Sequence, residues 1–214
     1  EFMKLSFYVD ENVLIPQPDT EVLVEEVLAK VQEIAKKREG NHSKSESIKI
    51  LDLCTGSGAI SISLYKYGKN VEIYASDVSE KAIEIAKKNA IANNANVELI
   101  VSDMFNQIEI CDFDIIVSNP PYIRTNVIKT LSKEVQNEPH IALDGGNDGL
   151  DFYKIIASEG YKHIKDKGYV LVEIGYDQKD EVIELFKKVG HYEEIQIMQD
   201  LAGNNRVIKA KVIR

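Results

Sequence analysis

Short apolar runs alternate with amphipathic segments from Ile48 onward, and this alternation limits the possible folds more than any other feature of the sequence. Apolar runs of four to eight residues indicate buried strands, and apolar residues at helical spacing indicate the helices between them. The expected strands are residues 48–53, 71–75, 97–101, 113–117, 168–174, 192–198 and 207–213. The expected helices are one that follows Asp19, one over 59–67, one capped by Ser79, and two over 150–164 and 178–189.

The order of these elements predicts an α/β fold with a doubly wound sheet. Strands that are separated by helices connect through right-handed crossovers, which makes the sheet mostly parallel. The last run differs, because Ile208 and Ala210 alternate with Lys209 and Lys211 and so suit an antiparallel strand with one wetter face. We therefore expect one Rossmann-like domain over residues 1–214, with seven strands, an antiparallel C-terminal strand and helices on both faces.

Three segments are expected to depart from the alternation. Residues 1–18 should form an N-terminal extension with linker strands. Residues 39–47 are polar and should form a mobile loop. Residues 119–149, which follow the fourth strand, should form a long irregular segment.

Composition and charge disfavour several classes of protein. Hydrophobic residues make up 44% of the chain, yet no stretch approaches the ~20 apolar residues of a membrane helix. The N-terminus lacks a basic-then-apolar signal pattern, so we expect a cytoplasmic protein without a membrane partner. The net charge of −9 argues against a nucleic-acid partner, because phosphate binding depends on Lys and Arg. Cys54 and Cys111 lack metal-ligand spacing, which predicts reduced thiols and no metal site.

The loop after the first strand is a candidate cofactor site, since ligands of such sheets bind beyond the carboxyl ends of the strands. Two glycines two residues apart allow a tight turn and a close approach of the backbone to a ligand. N–H groups at the start of the following helix favour a polar or anionic group. A tight turn without a ligand remains the alternative. The candidate residues here are Asp52, Cys54, Thr55, Gly56, Ser57 and Gly58.

Acidic residues near the ends of the second and third strands extend this candidate site. Asp77 is placed to accept hydrogen bonds from both hydroxyls of an adenosine ribose, or else to cap the helix near Ser79. Asp103 is placed to accept from an adenine amino group and Met104 to pack on its ring, unless both are ordinary loop residues. Together these residues indicate an adenosine-bearing cofactor. Ser61 stands where the dinucleotide fingerprint has its third glycine, which disfavours NAD relative to S-adenosylmethionine.

The tetrapeptide after the fourth strand carries the strongest chemical signal. Asn119 offers a side-chain acceptor, and Pro120 keeps its carbonyl while its ring stiffens the loop. Two fixed oxygen acceptors match the two N–H groups of a planar NH₂, and Tyr122 is placed to stack on the flat group that bears it. We therefore assign substrate binding to Asn119, Pro120, Pro121 and Tyr122, with catalytic roles for Asn119, Pro120 and Tyr122. Asn119 also adjoins the expected cofactor. A rigid proline turn without such a role is the alternative.

With these motifs in place, the chain resembles the catalytic domain of the HemK-type (PrmC) peptide chain release factor glutamine methyltransferases. The similarity extends over residues 13–21, 50–58, 119–122, 142–150 and 200–207. It implies a class I methyltransferase fold, S-adenosylmethionine as the methyl donor and S-adenosylhomocysteine as its product. It also implies N5-methylation of the glutamine in the Gly-Gly-Gln motif of release factors, with that amide between Asn119 and Pro120.

The sequence departs from this family's pattern at three places. Gln17 replaces the usual arginine, and Cys54 replaces the usual first glycine, so we expect position 54 not to need a positive φ. The family carries a small helical N-terminal domain, whereas this sequence begins at Glu1, so we expect it to be a fragment of a longer protein. The role of Glu173 stays open.

Other functions remain open from the residues alone. Adenine-N6 and guanine-N2 nucleic-acid methyltransferases share the Asn-Pro-Pro-Tyr tetrapeptide, although the net charge and the later motifs favour a protein substrate. The proline loop and the missing third glycine disfavour an NAD-dependent oxidoreductase. The acceptor pair at Asn119 disfavours a regulatory module without catalysis.

Overall fold

The computed structural model describes residues 1–39 and 46–214. Most of the loop that is predicted to be mobile, residues 39–47, therefore lies outside the described residues. The strands are β1 (Ile48–Leu53), β2 (Val71–Asp77), β3 (Val97–Val101), β4 (Phe113–Ser118), β5 (Ile164–Glu173), β6 (Tyr192–Gln199) and β7 (Asn205–Val212). The helices are α1 (Glu21–Glu39), α2 (Ala59–Tyr67), α3 (Glu80–Ala92), α4 (Thr125–Ile128), α5 (Lys133–Gln136), α6 (His140–Leu143), α7 (Asp151–His163) and α8 (Lys179–Val189).

The strands form one sheet in the order β3-β2-β1-β4-β5-β7-β6. The first five of these pair in parallel, whereas β7 runs antiparallel to both β5 and β6. The expected α/β fold, with its mostly parallel sheet and antiparallel C-terminal strand, is confirmed. The strand order reverses between β1 and β4, and the Ser118 hydroxyl donates to the Leu53 carbonyl at 2.8 Å where these two strands end. The loops that leave β1 and β4 therefore start side by side, at the switch point of the sheet.

The core consists of two apolar layers, one on each face of the sheet. On one face, α1 and α2 pack against the sheet through residues that include Leu23, Val27 and Leu64. On the other face, α7 and α8 do so through residues that include Ile156 and Phe186. Every residue of β4 is buried, as expected for a central parallel strand that is covered on both faces.

Several boundaries differ from those that the sequence predicts. The helix expected to end at Ile164 ends at His163, because Ile164 is buried and pairs with Phe113 of β4. The segment expected to be irregular contains the three short helices α4 to α6. Residues 1–17, all of them described, form no linker strand and contain only an isolated bridge between Phe2 and Leu5.

The N-terminal segment is instead fixed by a buried side chain of α3. Asn89 accepts from the Tyr8 N–H at 2.7 Å and donates to the Tyr8 carbonyl at 2.9 Å. The same amide group donates to the Ser57 carbonyl at 2.8 Å, in the glycine loop. One buried amide therefore joins the N-terminal segment to the loop after β1. Within the described residues, no helix is long and apolar enough to cross a membrane.

Candidate active site

One cavity lies at the carboxyl ends of β1 to β4. Its wall combines residues from all four loops that the sequence singles out, together with parts of the chain that it does not. The predicted residues in the wall are Cys54, Thr55, Gly56, Ser57, Asp77, Asp103, Met104, Asn119 and Pro121. The predicted residues outside the wall are Asp52, Gly58, Pro120 and Tyr122. The fold therefore brings most of the predicted site together around one space.

The Asp77 carboxylate joins the first two loops. Its Oδ2 accepts from the Gly56 N–H at 2.9 Å, and its Oδ1 accepts from the Ser79 N–H at 3.0 Å. The helix cap itself is Ser79, whose hydroxyl accepts from the Ala82 N–H at 3.2 Å. Burial raises the pKa of Asp77, and the backbone N–H groups of Ser79 and Gly56 oppose that rise. Each carboxylate oxygen retains a lone pair for a further donor in the cavity.

Asp52 and Gly58 support the glycine loop from beneath and do not face the cavity. Asp52 is fully buried, and its Oδ2 accepts from the Thr55 hydroxyl at 2.6 Å and from the Ser61 N–H at 3.1 Å. Gly58 has a φ of +81°, and a Cβ there would lie 3.1 Å from the Cβ of Ala86 on α3. The glycine is required for the turn and for packing between helices, and its contact with a cofactor stays a prediction.

Cys54 has a φ of +59°, so the expectation that position 54 needs no positive φ is wrong. The tight turn from β1 into the loop keeps its left-handed backbone even though the glycine is absent. A cysteine in this region carries a strain of roughly 1–2 kcal/mol. The thiol lies 3.9 Å from the Met104 sulfur, and Met104 also has a positive φ, of +50°. Two sulfur-containing side chains, both on residues with a left-handed backbone, therefore lie side by side in the cavity wall.

Asn119 is held by a residue to which the sequence assigns no role. Its Nδ2 donates to the Thr20 hydroxyl at 3.2 Å, across 99 positions of the chain. Thr20 is buried and ends a single 3-10 turn, Pro18–Thr20, that leads into α1. Oδ1 of Asn119 accepts no hydrogen bond from the described residues, and Asn119 lies in the cavity wall. The arrangement leaves an oxygen acceptor available at the cavity, near the glycine loop.

The loop that carries Asn119 is locked by two further segments. Gln178 is buried, and its Nε2 donates to the Tyr122 carbonyl at 3.0 Å and to the Gly149 carbonyl at 3.1 Å. A Cβ at Gly145 would lie 2.8 Å from the Pro121 carbonyl oxygen, so that position has room only for glycine. The glycine-rich segment 142–150 therefore packs directly on the backbone of the tetrapeptide.

Tyr122 and Pro120 are not among the residues that line the cavity. The Tyr122 hydroxyl lies 3.5 Å from Oε1 of Glu173, a long hydrogen bond, and burial raises the pKa of that hydroxyl. Pro120 is buried. The stacking role of Tyr122 and the acceptor role of the Pro120 carbonyl stay predictions.

The cavity also uses residues that the sequence reasoning does not single out. The N-terminal segment contributes a run that includes Val13, Leu14 and Pro16, and Ile141 and Phe152 also lie in the wall. The similarity over residues 13–21 marks the first of these stretches without placing it at the cavity, whereas Ile141 and Phe152 lie just outside the similar stretch 142–150. Among the described residues, no group of three or more His, Cys, Asp or Glu is placed to hold a metal ion.

The chain is similar to known proteins over almost its whole length. A family model described as Methyltransferase small domain matches residues 40–138. A release factor glutamine methyltransferase of Lactococcus lactis subsp. lactis (strain IL1403) is 42% identical over 212 residues, which cover 99% of this chain and 74% of that protein. A protein of the same name from Clostridium acetobutylicum is 44% identical over 215 residues, which cover 98% of this chain and 71% of that protein.

A solved structure adds to these similarities. The crystal structure of the protein-(glutamine-N5) methyltransferase (release factor-specific) from Alicyclobacillus acidocaldarius subsp. acidocaldarius DSM 446 matches with a TM-score of 0.55. Its sequence is 27% identical, and the match covers 97% of this chain and 100% of that chain. Sequence and fold comparisons therefore lead to the same kind of protein.

Proposed function

Because this chain belongs to the release factor glutamine methyltransferases, we propose that it methylates the side-chain amide nitrogen (N5) of the glutamine in the Gly-Gly-Gln motif of peptide chain release factors. The methyl donor is S-adenosylmethionine, and the product is S-adenosylhomocysteine. The observation that carries the proposal is the fixed amide of Asn119, whose nitrogen is bound to Thr20 while its oxygen stays available at the cavity. Release factors act on the ribosome, so the reaction belongs to the cytoplasm.

The residues of the cavity suit S-adenosylmethionine. A Cβ built at Gly56 would meet no atom within 4 Å, so the backbone there is open to close contact with a ligand. Asp77 keeps acceptor capacity for the ribose hydroxyls, Asp103 for the adenine amino group, and Met104 offers an apolar contact to the ring. Cys54, Thr55 and Ser57 would complete the contacts from the glycine loop. When bound, S-adenosylmethionine supplies a methyl carbon on a positively charged sulfur.

The chain's own contribution to the reaction is orientation of the acceptor nitrogen. Oδ1 of Asn119 accepts one N–H of the glutamine amide, and the Pro120 carbonyl accepts the other. These bonds aim the nitrogen lone pair, which the amide otherwise delocalises, toward the methyl group, while Tyr122 packs on the amide plane. Positioning of this kind supplies up to roughly 7–11 kcal/mol of the barrier reduction. The same oxygens stabilise positive charge that develops on the nitrogen.

Methylation of a nucleic-acid amino group is the alternative with the same acceptors. The relatives named for release factor methylation cover most of this chain, and they argue for the protein substrate. The net charge of −9 also argues against a nucleic-acid substrate, because phosphate groups bind to Lys and Arg.

The test supplies the protein with methyl-labelled S-adenosylmethionine and, in separate reactions, a purified release factor, duplex DNA and ribosomal RNA. Peptide mass spectrometry then locates the label. We expect one methyl group on the Gly-Gly-Gln glutamine and none on nucleic acid. A release factor whose glutamine is replaced by alanine is the matched control and should take up no label. Label on DNA or RNA with an unmodified release factor would overturn the proposal.

A further inference from the structure

Two large apolar side chains lie exposed on adjoining loops at the carboxyl end of β5, and the proposed reaction does not use them. Leu201, in the turn between β6 and β7, is fully exposed, and Tyr176, in the loop between β5 and α8, is 67% exposed. The loops adjoin because the Ile174 N–H donates to the Arg206 carbonyl at 2.8 Å. Single exposed apolar residues are ordinary, whereas several that share one part of the surface mark sites of interaction.

Both loops are held in place by buried side chains. Asp200 is buried, and its Oδ1 accepts from two backbone N–H groups of the turn that carries Leu201, at 2.9 and 3.0 Å. Gln178 is buried too, and its Oε1 accepts from the backbone N–H directly before Tyr176 at 3.0 Å. Because the loops are already ordered, a partner that binds them loses little of its affinity to the ordering of backbone.

The turn of Leu201 is connected with the acceptor amide through a short series of contacts. Arg206, at the start of β7, contacts Asp19 at 3.0 Å. The next residue, Thr20, accepts from the Asn119 side chain at 3.2 Å. The exposed apolar residues therefore belong to the same end of the sheet as the proposed catalytic oxygen.

The strand order places the cofactor loops and these apolar residues on opposite sides of Asn119. The loops of the predicted cofactor residues follow β1, β2 and β3, whereas Tyr176 follows β5 and Leu201 follows β6. β4, which leads into Asn119, lies between the two groups of strands. When the cofactor occupies the cavity, a protein substrate that brings an amide to Asn119 still has the loops beyond β4 available for contact.

Charged side chains beside the two loops are paired with one another. Arg206 contacts Asp200 at 3.0 Å as well as Asp19, and Arg124 contacts Asp177 at 2.8 Å. These ion pairs neutralise the charge next to the exposed residues. The surface is therefore suited to apolar contact with a partner, and not to the binding of a charged group.

We propose that Leu201 and Tyr176 form a docking surface for the release-factor segment that flanks the methylated glutamine. The inference rests on the proposed function, because it names where that substrate makes contact beyond the reacting amide. β4 and β7 are two strand spacings apart, about 10 Å, which an extended chain covers in about three residues. The release-factor residues that dock are therefore apolar and lie about three or more positions from the glutamine.

The first test measures kcat and KM for methylation of the whole release factor by the double variant Leu201→Ser with Tyr176→Ser. We expect KM to rise about tenfold or more while kcat stays within about twofold, because the reacting groups are unchanged. The affinity for S-adenosylhomocysteine should not change, since neither residue lines the cavity. Ile91→Ser, which removes an exposed apolar side chain of α3, is the matched control and should keep the wild-type KM. A wild-type KM in the double variant overturns the inference.

A series of Gly-Gly-Gln peptides shows whether the effect arises at the docking surface. A peptide with a single flanking residue on each side is too short to reach it, so its kcat/KM should be the same for the wild type and the double variant. With about three or more flanking residues, kcat/KM should rise for the wild type and much less for the double variant. An equal loss with the shortest and longest peptides would mean that the substitutions disturb the reacting site, and it would overturn the inference.

Binding without turnover separates this inference from the proposed function. Isothermal titration of the release factor into the protein saturated with S-adenosylhomocysteine should give a Kd about tenfold higher for the double variant than for the wild type. If the wild type methylates the release factor but the two Kd values are equal, the docking surface alone fails. If the wild type neither binds nor methylates the release factor, the proposed function fails and the docking surface with it. Self-association of the wild type that the double variant loses, with an unchanged KM, would assign the surface to a second copy of this chain.

Discussion

Gln178 donates its side-chain N–H to the Tyr122 carbonyl at 3.0 Å and so ties the start of α8 to the tetrapeptide after β4. The same amide donates to Gly149 and accepts from the Gly175 N–H at 3.0 Å. A single buried side chain therefore holds together three loops, one of which carries the proposed catalytic oxygen. The rigidity of that loop depends on tertiary contacts as well as on its two prolines.

Gln178→Leu should destabilise the protein and slow methylation. The change leaves buried carbonyls without donors, which costs about 1–3 kcal/mol for each such group. We expect a fall of about 2 kcal/mol or more in the free energy of unfolding by urea denaturation, and a lower kcat with nearly unchanged affinity for S-adenosylhomocysteine. Gln196→Leu, on an exposed part of β6, is the control and should change stability by less than about 0.5 kcal/mol. Wild-type stability in Gln178→Leu would contradict this account.

Asn119→Ala should separate turnover from cofactor binding. The change removes the proposed acceptor but leaves Gly56 and Asp77 in place. We expect turnover to collapse while the affinity for S-adenosylhomocysteine stays within about tenfold, or roughly 1.4 kcal/mol. Isothermal titration and a single-turnover assay measure the two quantities. Asn126→Ala on α4, an exposed position, is the matched control; normal turnover in Asn119→Ala would remove the role given to this residue.

Asp77→Ala should weaken cofactor binding through two losses at once. The ribose loses its acceptor, and the Gly56 and Ser79 N–H groups lose theirs. We expect the affinity for S-adenosylhomocysteine to fall more than about tenfold, with a smaller fall in Asp77→Asn, which keeps one acceptor oxygen. Asp166→Ala in β5, at the opposite end of the sheet, should bind normally in the same titration. Equal affinities for wild type and Asp77→Ala would show that the carboxylate does not contact the cofactor.

Cys54 allows a direct measurement of backbone strain. At a residue with ordinary φ, glycine is the less stable choice relative to alanine, because it has more freedom to lose on folding. At a φ of +59° glycine should instead be the more stable choice. We therefore expect the free energy of unfolding of Cys54→Gly to be about 1 kcal/mol higher than that of Cys54→Ala. The comparison of two variants cancels the loss of the sulfur contact with Met104. Ala92→Gly on α3 is the control, in which glycine should be less stable than alanine. If Cys54→Ala is more stable than Cys54→Gly, the backbone at position 54 is not strained.

Asp52 should make the protein less stable as the pH rises toward neutrality. Burial raises the pKa of Asp52 to about 7, whereas its unfolded pKa stays near the ordinary value. As the pH rises, the unfolded chain therefore releases this proton before the folded protein does. The protonated carboxyl group stabilises the fold fully below the unfolded pKa, and this stabilisation is lost as the pH rises through the folded pKa. Urea denaturation between about pH 4 and 8 should show this fall.

Asp52→Asn should flatten that dependence without abolishing it, because Glu173 has a raised pKa and contributes with the same sign. Asp112→Asn is the control, since Lys49 holds the pKa of Asp112 below its usual range and places its titration below this window. An identical slope in wild type and Asp52→Asn would show that Asp52 is charged throughout.

Much of the fold and part of the site follow from local signals. The apolar runs separated by helices predict the parallel sheet. The alternation of apolar Ile208 with charged Lys209 predicts the antiparallel strand. The start of β5 is missed, because Ile164 shows helical periodicity and joins the strand only through pairing with Phe113. The positive φ of Cys54 is missed for a similar reason: the turn, and not the residue type, sets the backbone there.

The sequence alone determined the order of strands and helices and the presence of four polar loops at one end of a sheet, because periodicity and turn residues act over a few positions. Only the tertiary structure decided that Thr20 bonds Asn119 and that Gln178 bonds Tyr122. It also decided that Glu173 is buried, with its Oε1 3.5 Å from the Tyr122 hydroxyl. Hydrogen bonds between side chains far apart in the sequence depend on distances that the packed core sets, and no local pattern encodes those distances.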